Sequence, residues 1–328
     1  LFIEEFYRNG RGLVADLWTT RYSEMRNISI PIPPMEEQVQ IVRYLDNETE
    51  KIIRFIREKK KQISLLNEQK KAVVNNAVTK GIHENVDMQY SGVEWLGTIP
   101  GKWRITPLRQ LLKPVSVKNR TDLPLLSVVR EKGIILRDID DYETNHNFIP
   151  DDLSGYKVVR KGQFVINKMK AWQGSYGVSK YDGIVSPAYY VFDLAFENKE
   201  YFHYAIRSKV YVNFFAQASD GIRVGQWDLS MSKMKNIPFF IPTPDQQTTI
   251  VEYIPTMFRA IDNMIESLQK EIDLIIEYRR RLFSDVVTGR LDVRNINIDN
   301  VVNPIDYGDI EESLAESLEM EVIDNEDQ

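Results

Sequence analysis

Cysteine is absent from the 328 residues. That excludes a disulfide framework, a thiolate zinc site and a cysteine nucleophile, and it favours a reducing, cytoplasmic compartment. No apolar run reaches the ~18–20 residues of a membrane span, and the opening LFIEEFYRNG lacks the pattern of a signal peptide. There is no G-x-x-x-x-G-K-[ST] stretch and no G-x-G-x-x-G after a strand, which disfavours nucleotide and dinucleotide sites. The only histidines, His83, His146 and His203, are scattered without metal-ligand spacing. Asn303-Pro304-Ile305-Asp306 does not match the Asn-Pro-Pro-aromatic run of amino-methyltransferases. With no catalytic constellation in view, the expectation is a recognition or assembly protein that is not an enzyme and uses no cofactor and no metal.

What is present is globular: 43% hydrophobic and 27% charged residues, with 5 Trp, 16 Tyr and 14 Phe. The net charge of −6 conceals an asymmetry. Residues 299–328 hold eleven acidic residues and no Lys or Arg, so the remainder carries 42 basic against 37 acidic, a net of +5. Residues 293–328 read as an acidic, disordered tail on a mildly basic body.

The chain repeats itself. Trp18 and Trp227 lie 209 positions apart, and the same shift places Gly12, Met25, Asn27 and Ile28 on Gly221, Met234, Asn236 and Ile237. It also places Ile32-Pro33 on Ile241-Pro242, and Gln38, Ile41, Val42 and Tyr44 on Gln247, Ile250, Val251 and Tyr253. The match runs without a gap to Val78-Thr79 on Val287-Thr288; Gly81 then meets Gly289, one residue out of step. A period this long is a duplicated module, not a solenoid. Residues 1–34 read as the closing part of a first globular domain, and residues 84–242 as the complete second copy.

Each Pro-rich stretch (IPIPPMEEQ, FIPTPDQQ) opens a long helical pattern, the first over residues 35–83 and the second over 243–292. Apolar residues recur at alternating spacings of three and four. In the first helix the seam is Val42, Leu45, Ile52, Ile56, Ile63, Leu66, Val73 and Ala77, interrupted by Thr49, Lys59 and Lys70. In the second it includes Ile261, Ile265, Leu268, Ile272, Ile275, Leu282 and Val286, with Arg279 its polar member. About six heptads of this kind predict coiled-coil pairing. At ~1.5 Å per residue such helices reach ~65 Å, longer than one domain of this size is wide. Pro255 is expected to kink the second helix. A basic run from Lys51 to Lys71 is either a solvated face or a path for nucleic acid or an acidic partner.

Residues 84–242 read as mixed α/β: strands at Leu125–Val129, Gly133–Leu136 and Gln163–Ile166, then a helix around Glu200–Ala218. Residues 90–236 hold 21 Lys or Arg against 15 Asp or Glu. Two stretches interleave basic, amide and aromatic residues: Asn167–Ser175, with Lys168, Lys170 and Gln173, and Asp220–Trp227, with Arg223 and Gln226. Lys and Arg neutralise phosphates, and Arg, Gln and Asn pair with base edges, so these five are candidate DNA contacts. Trp172 and Trp227 also suit a core role, and the repeat favours it for Trp227, since Trp18 stands at the same place.

A duplicated globular domain, each copy followed by an Ile-Pro…Gln entrance and a heptad helix, resembles the specificity subunit of type I restriction–modification systems. The stretches carrying the resemblance are Tyr90–Trp103 (YSGVEWLGTIPGKW), Asn167–Ser175 (NKMKAWQGS), Gly183–Tyr190 (GIVSPAYY) and the two helix entrances. The resemblance implies an α+β fold: a globular mixed α/β target-recognition domain with two long helices pairing as an antiparallel coiled coil. It implies a non-catalytic subunit that reads one half of a split site in double-stranded DNA. The helices would hold two readers apart and dock methyltransferase subunits and, through them, the restriction and translocation subunit. Methyl transfer and ATP-driven cleavage would belong to those partners. The incomplete first domain implies either a fragment or a shortened product that uses a second copy of itself. The rival reading is a coiled-coil adaptor that binds proteins and never touches DNA.

Overall fold

The computed structural model describes residues 22–83, 86–130, 132–137, 152–221 and 227–298, with the isolated positions 8 and 150. The α-helices bounded within the described residues are α1 (Tyr22–Met25), α2 (Met35–Lys80), α3 (Lys199–Ile206), α4 (Lys209–Gln217), α5 (Met231–Met234) and α6 (Pro244–Val287). The chain forms two compact units. Among the described residues, one comprises 22–64 and 264–298 and the other 65–221 and 227–263.

In the first unit the long helices pair side by side. Ile52, Ile56 and Ile272 are buried together with Ile63, Ile275 and Ile276 against them, and Leu45 packs on Leu282, Val286 and Val293. Lys59, an interruption in the sequence pattern, pairs with Glu271 at 2.6 Å. In the second unit Lys70 pairs with Asp262, also at 2.6 Å. As the number on one helix rises, that of its partner falls, so the helices pair antiparallel in each unit. Each lysine also lies over an aromatic ring, Lys59 over Phe55 and Lys70 over Phe258. Thus the seam's two lysines extend their stems along the contact and place their charges at its rim. Ile261 is buried in the second unit, where Leu66 and Val73 are half-buried; Ile265 is half-buried in the first.

Val42 departs from the expected seam: it is 52% exposed. At this end Ile41 and Tyr44 face Leu45 and Val293 instead. A straight helix drifts from a strict seven-residue repeat, and here the contact passes to the neighbouring position. The α6 helix includes Pro255. The start of the segment assigned to the tail from sequence is anchored: Val293 is buried, and Gln40 donates to the carbonyls of Val293 and Ile296 at 3.0 and 2.8 Å. The remainder of the acidic tail, 299–328, lies outside the described residues.

The second unit holds the globular domain. Its centre is a four-stranded antiparallel sheet in the order Leu112–Val115, Tyr189–Leu194, Phe164–Asn167, Tyr176–Val178. Strand Phe164–Asn167 is buried throughout, because both sheet faces are covered. Phe164, Ile166, Phe192 and Tyr176 pack with α3 and α4 through Phe202, Ile206 and Phe215. Val165 and Val191 face the other way, onto Leu126, Val128, Ile134, Val159 and Val185. The expected helix around Glu200–Ala218 is two helices, since Ser208 takes an extended backbone (φ −66°, ψ 157°) between them.

The domain closes where its ends meet. Strand Arg104–Pro107 pairs antiparallel with Pro238–Ile241, directly before α6. Two buried tyrosines complete this strand's hydrogen bonding. Tyr201 donates to the Phe240 carbonyl at 3.0 Å, and the Tyr211 hydroxyl accepts from the Phe240 N–H at 3.1 Å. Burial pushes both phenols above their usual pKa, so they stay neutral.

The internal repeat recurs in helix positions and in hydrogen bonds. Helix α1 lies 209 positions before α5. Gln38 donates to the Pro33 carbonyl at 2.8 Å and Gln247 to the Pro242 carbonyl at 2.9 Å. At the far ends Thr79 donates to Asn75 and Thr288 to Ser284, at 2.6 and 2.7 Å. Gly81 and Gly289 follow at φ 74° and 72°, the left-handed conformation that ends a helix at low cost for glycine.

Candidate nucleic-acid interface

The first loop singled out by sequence meets the base of the second. The Asn167–Ser175 loop leaves the central sheet and returns to it within a few residues. The Asn167 N–H donates to the Ser175 carbonyl at 3.0 Å, and Gly174 makes the turn at φ 97°. Asn167 also accepts from the Met169 N–H at 3.2 Å, fixing the loop's first corner. The second loop is pinched at its base, where Ser219–Asp220 pairs with Asp228–Leu229. The two bases are joined by the Leu229 N–H to the Lys168 carbonyl at 3.0 Å. Trp172 and Trp227 pack with ring centres 5.3 Å apart.

Lys168 donates to Asp228 at 2.9 Å, and this hydrogen bond raises its pKa. It is a tie between the loops. Lys170 is exposed, and Gln173 is half-buried on the same loop. Arg223 and Gln226 lie outside the described residues. What the structure brings together is therefore Lys168, Lys170 and Gln173 with the base of the loop bearing the other two.

Sequence reasoning missed an adjoining group. Lys157 lies on the strand Lys157–Val159, which pairs with Gly183–Val185. It donates to the Tyr189 carbonyl at 2.6 Å and sits 5.8 Å from the centre of the Tyr190 ring. Lys118 forms a backbone bridge with it. Burial, then repulsion from Lys118 and Lys168, holds the Lys157 pKa below the usual lysine value. Asn167 is opposite Tyr189 in the sheet and donates to its hydroxyl at 3.4 Å. The only available signal was the pair of tyrosines in GIVSPAYY; Lys157 and Lys118 are far apart in sequence and only the sheet unites them.

The third histidine is structural. His203 is largely buried beneath Gly133 and Gly177, and its Nδ1 accepts from the Val178 N–H at 3.2 Å. Burial, with Arg207 and Lys180 nearby, pushes its pKa down to about 3. Among the described residues there is no metal-binding cluster, and no helix is long and apolar enough to cross a membrane.

Comparison with known proteins defines a class first. Residues 19–65 match the family described as type I restriction modification DNA specificity domain. The type I restriction enzyme MjaVIII specificity subunit of Methanocaldococcus jannaschii is 27% identical over 293 residues. That match covers 83% of this chain and 64% of the subunit, so the chain spans less than two thirds of this relative's length. A solved chain titled for complex assembly and conformational transition of the type I R-M system has a TM-score of 0.55 at 13% identity. It is matched over 88% of this chain and 68% of that one. The HsdS subunit of Thermoanaerobacter tengcongensis aligns with the same coverages, at 15% identity and a TM-score of 0.45. The chain is similar in sequence to specificity subunits of type I restriction enzymes.

Proposed function

We propose that this chain is a non-catalytic DNA sequence-recognition subunit whose domain at 84–242 reads one half of a bipartite site. The observation that carries the reading is that the Asn167–Ser175 loop meets the base of the Asp220–Trp227 loop. They are tied by Lys168–Asp228 and by the Trp172–Trp227 contact. Lys168 holds the frame, and Lys170, Gln173, Arg223 and Gln226 are the proposed contacts to DNA. Methyltransferase subunits, and through them a restriction subunit, dock on the paired helices. The exposed apolar side chains Phe55, Leu274 and Tyr278 support this. Such an assembly works in the cytoplasm.

Residues 22–34 are, in this reading, the closing segment of a further recognition domain, contributed either by a longer form of the chain or by a second copy. Their repeat partners support it: Met234, Phe239 and Ile241 are core residues, whereas Met25, Ile30 and Ile32 are exposed.

The test is the methylation pattern of the assembled complex. Alanine at Arg223, Gln226, Lys170 or Gln173 should relax one half-site, at ~1–3 kcal/mol per lost base contact. Unchanged specificity in all four, or a complex with no salt-sensitive DNA binding, would instead favour the protein-binding adaptor.

A further inference from the structure

Beside these loops, Lys157 and Lys118 carry positive charge that no carboxylate among the described residues neutralises. Lys157 is half-buried and spends one donor on the Tyr189 carbonyl at 2.6 Å. Among the described residues no carboxylate lies within ion-pairing reach of it. The exposed Lys118 is its bridge partner, and Lys168, the third cation, is already matched by Asp228. An ammonium retains three N–H donors, so Lys157 has two more to give. Holding a partly desolvated ammonium beside other cations costs free energy unless an anion completes the group. The Tyr190 ring, 5.8 Å away, closes one side of the position.

We infer that Lys157 and Lys118 form a seat for a phosphodiester of the DNA backbone, next to the loops that read bases. The inference rests on the DNA-recognition reading and adds a division of labour to it. Lysine delivers a point charge without the planar fork that reads guanine, which suits positioning rather than base selection. The seat is tied to the sheet that bears the loop: Asn167, the loop's first residue, is opposite Tyr189, whose carbonyl holds Lys157. A phosphate bound here would fix the register of the reading loops on the duplex.

The experiment uses the full chain and a fluorescein-labelled 30-base-pair duplex of random sequence, titrated at several salt concentrations. Lys157→Gln should weaken binding about three- to tenfold, and the slope of log affinity against log salt should flatten by about one contact. Lys157→Arg should retain most of the affinity. Lys118→Gln, a change at an exposed side chain, should show a smaller loss of the same kind. Lys235→Gln, which removes the same charge elsewhere on the domain, should change little. Wild-type binding with unaltered affinity and slope in both glutamine variants overturns this inference alone. A loss confined to one DNA sequence also overturns it, because that marks a base contact. No binding by the wild-type chain overturns the DNA-recognition reading and the seat together.

Discussion

Residues 22–43 and 231–252 carry the same pattern and meet opposite surroundings. Both begin with a four-residue helix, continue through an apolar stretch to Ile-Pro, and enter a long helix with a glutamine bonded five residues back. In the second copy Phe239 is fully buried and Ile241 is 7% exposed; in the first, Ile30 and Ile32 are 58% and 75% exposed. The helices and the glutamine bond therefore follow from the segment's own sequence, while strand pairing and burial accompany strand Arg104–Pro107 and helices α3 and α4 in the second copy only. Burying one large aliphatic side chain is worth ~1.5–3 kcal/mol, so the first copy holds several kcal/mol of unused stabilisation.

The largest test of this contrast is a pair of equivalent truncations. Phe239→Ala should destabilise the second unit by ~3–5 kcal/mol, since Phe202 and Tyr211 stack around that ring. Ile30→Ala should stay within ~0.5 kcal/mol. Denaturant unfolding of both variants checks this, and equal effects would erase the distinction. In the helices, Ile56→Ala should cost ~2–4 kcal/mol and Val42→Ala little, because the first is buried in the seam and the second is exposed.

Acid should separate the two units as well. All three histidines fall within the sequence span of the second unit. The His203 pKa lies at about 3 in the fold, below the ordinary 6.5, so the unfolded chain takes up the proton first. The stability it provides is complete above pH ~6.5 and falls toward pH 3, by ~2–3 kcal/mol at pH 4. Urea titrations at pH 7 and 4 should show the second unit losing more than the first, and His203→Gln should flatten that difference. The smallest effect is at the helix entrances. Gln247→Ala should cost ~1 kcal/mol, and Gln38→Ala less, because only Gln247 is buried. Melting temperatures of the two variants give the order.

Much of this was legible because repetition and periodicity are local in sequence. The shift of 209 aligned both entrances and both helix ends, and Ile52, Ile56, Ile272 and Leu282, read from the heptads, are buried. Two positions failed for physical reasons. Val42 kept the period but lost its partner, since the contact had drifted to Ile41. Val293 sits beside an acidic stretch yet packs on Leu45, a contact that composition cannot reveal. In the candidate interface, the loops were found by residue type, but Lys168 as their tie required Asp228, sixty positions away. Lys157 and Lys118 were invisible because only strand pairing puts two lysines together.

The central claim is that residues 84–242 form one self-contained reader. Replacing this segment with the corresponding domain of a related specificity subunit, and sequencing the sites methylated by the assembled complex, tests it most directly. The account predicts that one half of the methylated site changes while the other half and the spacer between them stay the same. A site that changes in both halves, or in neither, would contradict it.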